Sequence, residues 1–162
     1  MMRFIAKSAD VVGDVTLGDE VTIWYQAAVR GDANWIKIGD RSNIQDGSVV
    51  HVDLDAPVVI GEDVTVGHQC VIHGCEISNG ALIGMGTTIL NHAIIGENAM
   101  IGAGSLVTEG KVIPANTLAF GRPAKVIREL TPEEIAKNHA NSQHYVEMGQ
   151  LHAVGKFQRI TE

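Results

Sequence analysis

The chain has 162 residues, a formal net charge of −7, and 45% hydrophobic residues with only 4% aromatic ones. That length suits one domain with a sizeable core, filled by Val, Ile, Leu and Ala rather than by rings. The negative charge argues against nucleic acid or an anionic membrane surface as a partner, and no apolar run reaches the roughly 18–20 residues that span a bilayer.

The start, MMRFIAKSADVVGD, lacks the apolar stretch of a secretion signal. Cys70 and Cys75 are the only cysteines, so the expectation is a cytoplasmic protein with two free thiols. From there a period sets in. Aliphatic residues recur every six positions: Leu17, Ile23, Val29; then Ile38, Ile44, Val50; then Ile60, Val66, Ile72; then Ile77, Ile83, Ile89, Ile95, Ile101, Val107 and Ile113. Six matches neither a helix at 3.6 nor an alternating strand at 2. It fits short strands joined by tight turns, one aliphatic side chain per rung pointing inward, with Gly, Asn and Asp at the corners. Three such rungs per turn form a triangular prism over roughly residues 11–125.

The register breaks at three places. Val29 to Ile38 carries three extra residues, Val50 to Ile60 carries four, and Ile72 to Ile77 lacks one. The two insertions are expected as surface loops near Ala33–Trp35 and Asp53–Ala56. After the prism, Thr131, Pro132 and Glu134 form a capping box with Pro at the first helical position. This predicts a helix over about 132–148, with Ile135, Tyr145, Val146 and Met148 toward the prism and a loose tail. The domain reading is a β-helix over 1–126 and a C-terminal helix and tail over 127–162.

The rungs also place the histidines. With faces labelled A, B and C, Val29, Val50 and Ile72 fall on face A, so Arg30, His51 and His73 stack in one column. Adjacent strands lie about 4.8 Å apart and zinc–nitrogen bonds are about 2.0–2.1 Å, so two stacked imidazoles can converge on one ion. His68 follows Val66 by two on face C, one turn above Asp46, and leaves the prism elsewhere. One chain can therefore supply His51 and His73 while a second supplies His68, a heterologous contact that closes as a ring of three. His92, His139, His144 and His152 share no such column; His92 is read on face A one turn beyond His73, and His144 and His152 as solvated. Trp24 and Trp35 are read as packing residues, Cys70 and Cys75 as small apolar fillers.

The segments VRGDANWIKIGDRSNIQDGSVVH, VTVGHQCVIHGC, LIGMGTTIL and GRPAKVIREL together resemble the γ-class carbonic anhydrase-like proteins of the hexapeptide-repeat family. The resemblance implies a left-handed parallel β-helix, a homotrimer with sites between subunits, and metal ligands His51, His68 and His73. It implies Arg30 and Asp32 as a structural ion pair at the interface, and Gln45, Asp46 and the candidate Tyr145 as active-site groups. The activity implied is reversible hydration of CO2 to bicarbonate by a metal-bound hydroxide. Zn2+ is the default ion, with Fe2+ and Co2+ compatible. Two glutamates of the best-studied members, one of them their proton shuttle, are replaced here by Ala33 and Leu54. The alternatives are a hexapeptide-repeat acyltransferase with His92 as base, a metal-dependent thioesterase, or a catalytically weak trimeric scaffold.

Overall fold

A computed structural model describes residues 2–160. The chain winds through about six turns of a left-handed parallel β-helix and ends in one long helix. Face C stacks β1 (Phe4–Ile5), β3 (Thr22–Ile23), β5 (Asn43–Ile44), β8 (Thr65–Val66), β11 (Leu82–Ile83), β14 (Met100–Ile101) and β17 (Thr117–Gly121), all parallel. Strand β18 (Ala124–Glu129) returns antiparallel on β17 and closes the upper end. Face A carries β6 (Val49–His51), β9 (Val71–His73), β12 (Thr88–Ile89) and β15 (Leu106–Val107); face B carries β7 (Val58–Ile60), β10 (Glu76–Ile77), β13 (Ile94–Ile95) and β16 (Val112–Ile113).

Two longer strands, β2 (Asp10–Leu17) and β4 (Ala28–Ile38), turn the corner between faces A and B. The first part of β4 pairs with β6 and its last part with β7. The insertion at Ala33–Trp35 is therefore not a surface loop. It lies inside β4 as a bulge: Asp32–Trp35 stand opposite Asp14 alone in β2, and the pairing resumes on both sides, at Gly13–Gly31 and Val15–Ile36. The second insertion does leave the prism: Asp53–Ala56 folds on itself through two backbone hydrogen bonds of 3.0 and 3.1 Å.

The inward residues stack turn on turn across all three register breaks. Val29, Val50, Ile72, Ile89 and Val107 are successive register partners on face A, and Ile38, Ile60, Ile77, Ile95 and Ile113 on face B. All of them are buried. The upper corners hold Gly80, Gly86, His92, Asn98, Gly104, Gly110 and Asn116, each with positive φ, six residues apart. A corner this tight requires the left-handed region, which Gly adopts freely and Asn tolerates. His92 stands at such a corner rather than on face A, whose strand β12 ends at Ile89, the register partner of Ile72.

The helix α1 (Pro132–Ala153) starts with the expected capping box at Thr131 and Glu134 but runs past residue 148. Its last turn is held by aromatic packing. The His152 ring lies 5.0 Å from Trp24 and 5.5 Å from Phe4, and its Nδ1 is 3.0 Å from the Tyr25 hydroxyl. His152 is thus a packing residue rather than a solvated one, whereas His144 is exposed. The buried stripe of the helix is Asn138, Ser142, Val146 and Gly149. Small residues stand there because the axis lies close to face C: a Cβ on Gly149 would come within 2.5 Å of the Thr22 methyl. No helix among the described residues is long and apolar enough to cross a membrane.

Candidate functional site

Strand pairing brings the face A column together. Arg30 is the register partner of His51, and His51 that of His73. The two imidazole rings are 5.1 Å apart at 62°, and His51 Nδ1 is 3.1 Å from His73 Nε2. What stands behind each ring sets what faces forward. His51 Nε2 donates to Asp32 Oδ1 at 2.9 Å. His73 Nδ1 donates to Asn91 Oδ1 at 2.5 Å. A neutral imidazole that donates through one nitrogen presents a lone pair on the other. Both facing nitrogens therefore carry lone pairs, an arrangement that repels unless a proton or a cation lies between them. This donor set fits a metal ion.

Asp32 is held by three groups. It accepts from His51, from the Arg30 guanidinium and from the Ala33 amide. The His51 hydrogen bond, followed by Arg30, brings its carboxyl down to about 2. Asp53 is likewise held below the usual carboxylate range, first by the Leu54 amide at 2.9 Å and then by the Asn91 amide at 3.1 Å. Leu54 projects from its loop with 82% exposure.

His68 sits on the other side of the prism, as the rung count predicts. Its Nδ1 is 3.0 Å from Asp46 Oδ2, one turn below. No group of three His, Cys, Asp or Glu side chains that could hold a metal is assembled within one chain among the described residues. The structure thus brings His51, His73, Arg30 and Asp32 into one cluster and His68, Asp46, Gln45 and Tyr145 into another.

The second cluster borders a cavity of about 320 Å3 lined by Gln45, His68, Asn141, Tyr145 and the apolar Leu82, Met85 and Met100. Gln45 is buried, and its amide nitrogen donates to Asn43 Oδ1 at 3.0 Å. Asn43 and Asn141 both donate to the Thr65 hydroxyl, at 3.0 and 3.1 Å. Tyr145 stacks edge-on to Trp24 at 5.4 Å, and burial, reinforced by the Asp46 charge, raises its phenol above the usual range. Sequence reasoning misses Asn141. Its four-residue spacing to Tyr145 places both on one helix face, and that is the signal that could have found it.

The thiols are buried and free. Desolvation pushes Cys70 to about 11 and Cys75 to about 12, which suits the filler role and not a nucleophile.

Comparisons with known proteins show which proteins this chain is similar to. Residues 74–109 match the Hexapep family, "Bacterial transferase hexapeptide (six repeats)". The chain is 49% identical over 158 residues to a protein named "Carbonic anhydrase" from Geobacillus kaustophilus, across 98% of this chain and 87% of that relative. It is 43% identical over 156 residues to "Gamma carbonic anhydrase 2, mitochondrial" from Arabidopsis thaliana, across 93% of this chain and 56% of that longer protein. Among solved structures, a "hexapeptide transferase family protein" from Anaplasma phagocytophilum superimposes with a TM-score of 0.88 at 40% identity, covering 91% of this chain and 87% of that one.

Proposed function

The chain belongs to the γ-class carbonic anhydrase family of hexapeptide-repeat proteins, and from that membership we propose that it interconverts CO2 and bicarbonate at a metal shared between subunits of a homotrimer. The observation that carries the reading is the meeting of His51 and His73, two lone-pair nitrogens 3.1 Å apart with both outer nitrogens already engaged. In this reading His51 and His73 of one subunit and His68 of a neighbour hold the ion, Zn2+ by default and Fe2+ or Co2+ as compatible occupants. When bound, such an ion supplies Lewis-acid activation of water, lowering its pKa from 15.7 to about 7.

The chain's own residues do the rest. Asp32 and Asp46 accept the outer N–H of His51 and of His68 and so fix which ring nitrogen is available. Gln45, anchored through its amide nitrogen by Asn43, orients the attacking oxygen by hydrogen bonding. Leu82, Met85 and Met100 give an apolar place for CO2 and exclude competing water. The Tyr145 phenol stays protonated and can donate to the bicarbonate product. Each turnover must also release a proton. With Ala33 and Leu54 at the two glutamate places and Asp53 tied to Asn91 and Leu54, solvent buffer takes that proton. The two unbridged thiols suit a reducing compartment such as the cytosol.

The test is metal content, mass in solution and stopped-flow CO2 hydration of the wild type and of His68→Ala. The expected result is a metal-loaded trimer whose hydration rate rises with buffer concentration, and a His68→Ala variant that folds but loses metal. A His68→Ala variant that keeps its metal, or a loaded trimer with no hydration activity, overturns the reading.

A further inference from the structure

The corner asparagines of this fold have different partners. Asn79 accepts from the Glu62 amide, and Asn98 bonds the next corner's Asn116 and His139 of the helix. Asn91 instead joins the imidazole column to the Asp53–Ala56 loop. Both ends of its amide are spent on side chains from other turns: Oδ1 accepts from His73 Nδ1 at 2.5 Å, and Nδ2 donates to Asp53 Oδ2 at 3.1 Å. The second bond determines the first. A carboxylate only accepts, so it draws the NH2 end of the amide and turns the carbonyl toward His73.

The surroundings are built for this contact. Ile89 is the register partner of Ile72, and Asn91, two residues further on, reaches back to His73. Gly74 makes room: a Cβ there would lie 2.5 Å from Asn91 Oδ1 and 2.7 Å from the Ala56 methyl. Asp53 is fixed in turn. Its Oδ1 accepts from the Leu54 amide, its backbone pairs with Ala56, and Asn34 Nδ2 donates to the Asp53 and Leu54 carbonyls at 3.2 and 3.0 Å. The four-residue insertion, expected from the sequence as a surface loop, thus reaches His73 through Asn91.

We propose that Asn91 and Asp53 form a positioning pair for His73, the carboxylate fixing the amide and the amide fixing the tautomer and orientation of the imidazole. This rests on the reading of His73 as a metal ligand. It also makes the two face A histidines unequal, because His51 is backed directly by a carboxylate and His73 by an amide that a carboxylate polarises. The Asp53–Ala56 loop then acts on metal retention without touching the metal.

The pair can be tested by exchanging its members. Asn91→Asp sets two carboxylates against each other, and Asp53→Asn leaves Asn91 without the charge that orients it. The double variant restores both contacts with the polarity reversed: the carboxylate introduced at position 91 would accept from His73 and from the amide introduced at position 53, whose carbonyl still accepts from Leu54. Full-length apoprotein of each variant is titrated with Co2+ by visible absorption, and Zn2+ release to a chelator is timed. Each single variant is expected to lose about 10- to 100-fold in metal affinity, the range for outer-shell partners of a ligating histidine, with an altered Co2+ spectrum. The double variant is expected to recover most of it. Singles that match the wild type, or a double variant no better than the two losses combined, overturn the proposal. His73→Ala separates the two readings: if it binds Co2+ as the wild type does, the ligand assignment fails, whereas an effect in His73→Ala with none in the single variants removes the positioning pair alone. Should Asn91→Asp not fold, Asp53→Asn and the double variant carry the same comparison.

Discussion

Glu134 shows how much one side chain can do at the junction of prism and helix. It closes the capping box by accepting from the Thr131 amide at 2.9 Å, and it takes two hydrogen bonds of 2.8 Å from the Arg128 guanidinium on β18. Arg128 first, then the Thr131 amide, brings its carboxyl from 4.5 down to about 2. The sign follows from linkage. A folded pKa below the unfolded one gives stability that is fully present above the unfolded value and is lost as pH falls through the folded one. The melting-temperature difference between wild type and Glu134→Gln should therefore be constant above about pH 5 and close as pH drops from 4.5 toward 2. Thermal melts followed by helix ellipticity across that window check it, and a gap that persists at pH 2 contradicts it. The Thr131–Glu134 spacing is legible in the sequence because a capping box is local. The Asn91 contacts are not, because Asp53 and His73 stand 38 and 18 residues away and meet it only around two corners.

At the scale of the element, the six-residue period specifies which aliphatic residue is inside, and the glycines specify how closely turns stack. Two glycines of one repeat serve different ends. Gly39 has no room: a Cβ would sit 2.6 Å from the backbone carbonyl of Gly61 and 2.8 Å from the Glu62 nitrogen, and backbone cannot swing aside. Gly110 has φ +66 and open space around it. Gly39→Ala should therefore cost about 1–3 kcal/mol through overpacking. Gly110→Asn should cost less than about 1 kcal/mol, since Asn visits the left-handed region that Asn98 and Asn116 already occupy at neighbouring corners. Denaturant unfolding of the two variants checks the order, and equal losses would mean that close stacking is not what glycine provides at position 39. The rungs themselves are readable because each inward residue is a register partner of the next. Two element-level features are not. The Ala33–Trp35 insertion reads as a loop because a repeat count cannot tell three extra residues in a loop from three in a bulge, and only the pairing with β2 on both sides shows that the strand resumes. The sequence pattern ends α1 too early because the packing of His152 on Phe4 and Trp24 joins opposite ends of the chain.

At the scale of the whole molecule, the two halves of the site face different directions, and this decides what one subunit can do alone. α1 packs on the lower rungs of face C through Thr65 and Thr22, while the imidazole column stands on face A. His68 and the cavity beside Tyr145 lie at the helix side, so on the ligand set proposed above a chain offers a pair at one edge and the third at another. The proposed heterologous, ring-closing trimer lets every copy use both edges. Such an arrangement predicts complementation between defective subunits. A His51→Ala/His73→Ala variant lacks the paired edge and a His68→Ala variant lacks the single one, so neither binds metal as a homo-oligomer. Unfolded together in equal amounts and refolded, they form mixed rings. A site is whole only where the paired edge comes from the second variant and the single edge from the first, which random mixing gives at roughly a quarter of positions. Metal content and CO2 hydration of the mixture should rise to that fraction of wild type, while each variant refolded alone stays empty. If all three ligands served one chain, every chain in the mixture would be defective and neither readout would rise. The fraction recovered thus reports the sharing of the site, and the mass of the mixed oligomer in solution reports the closure of the ring.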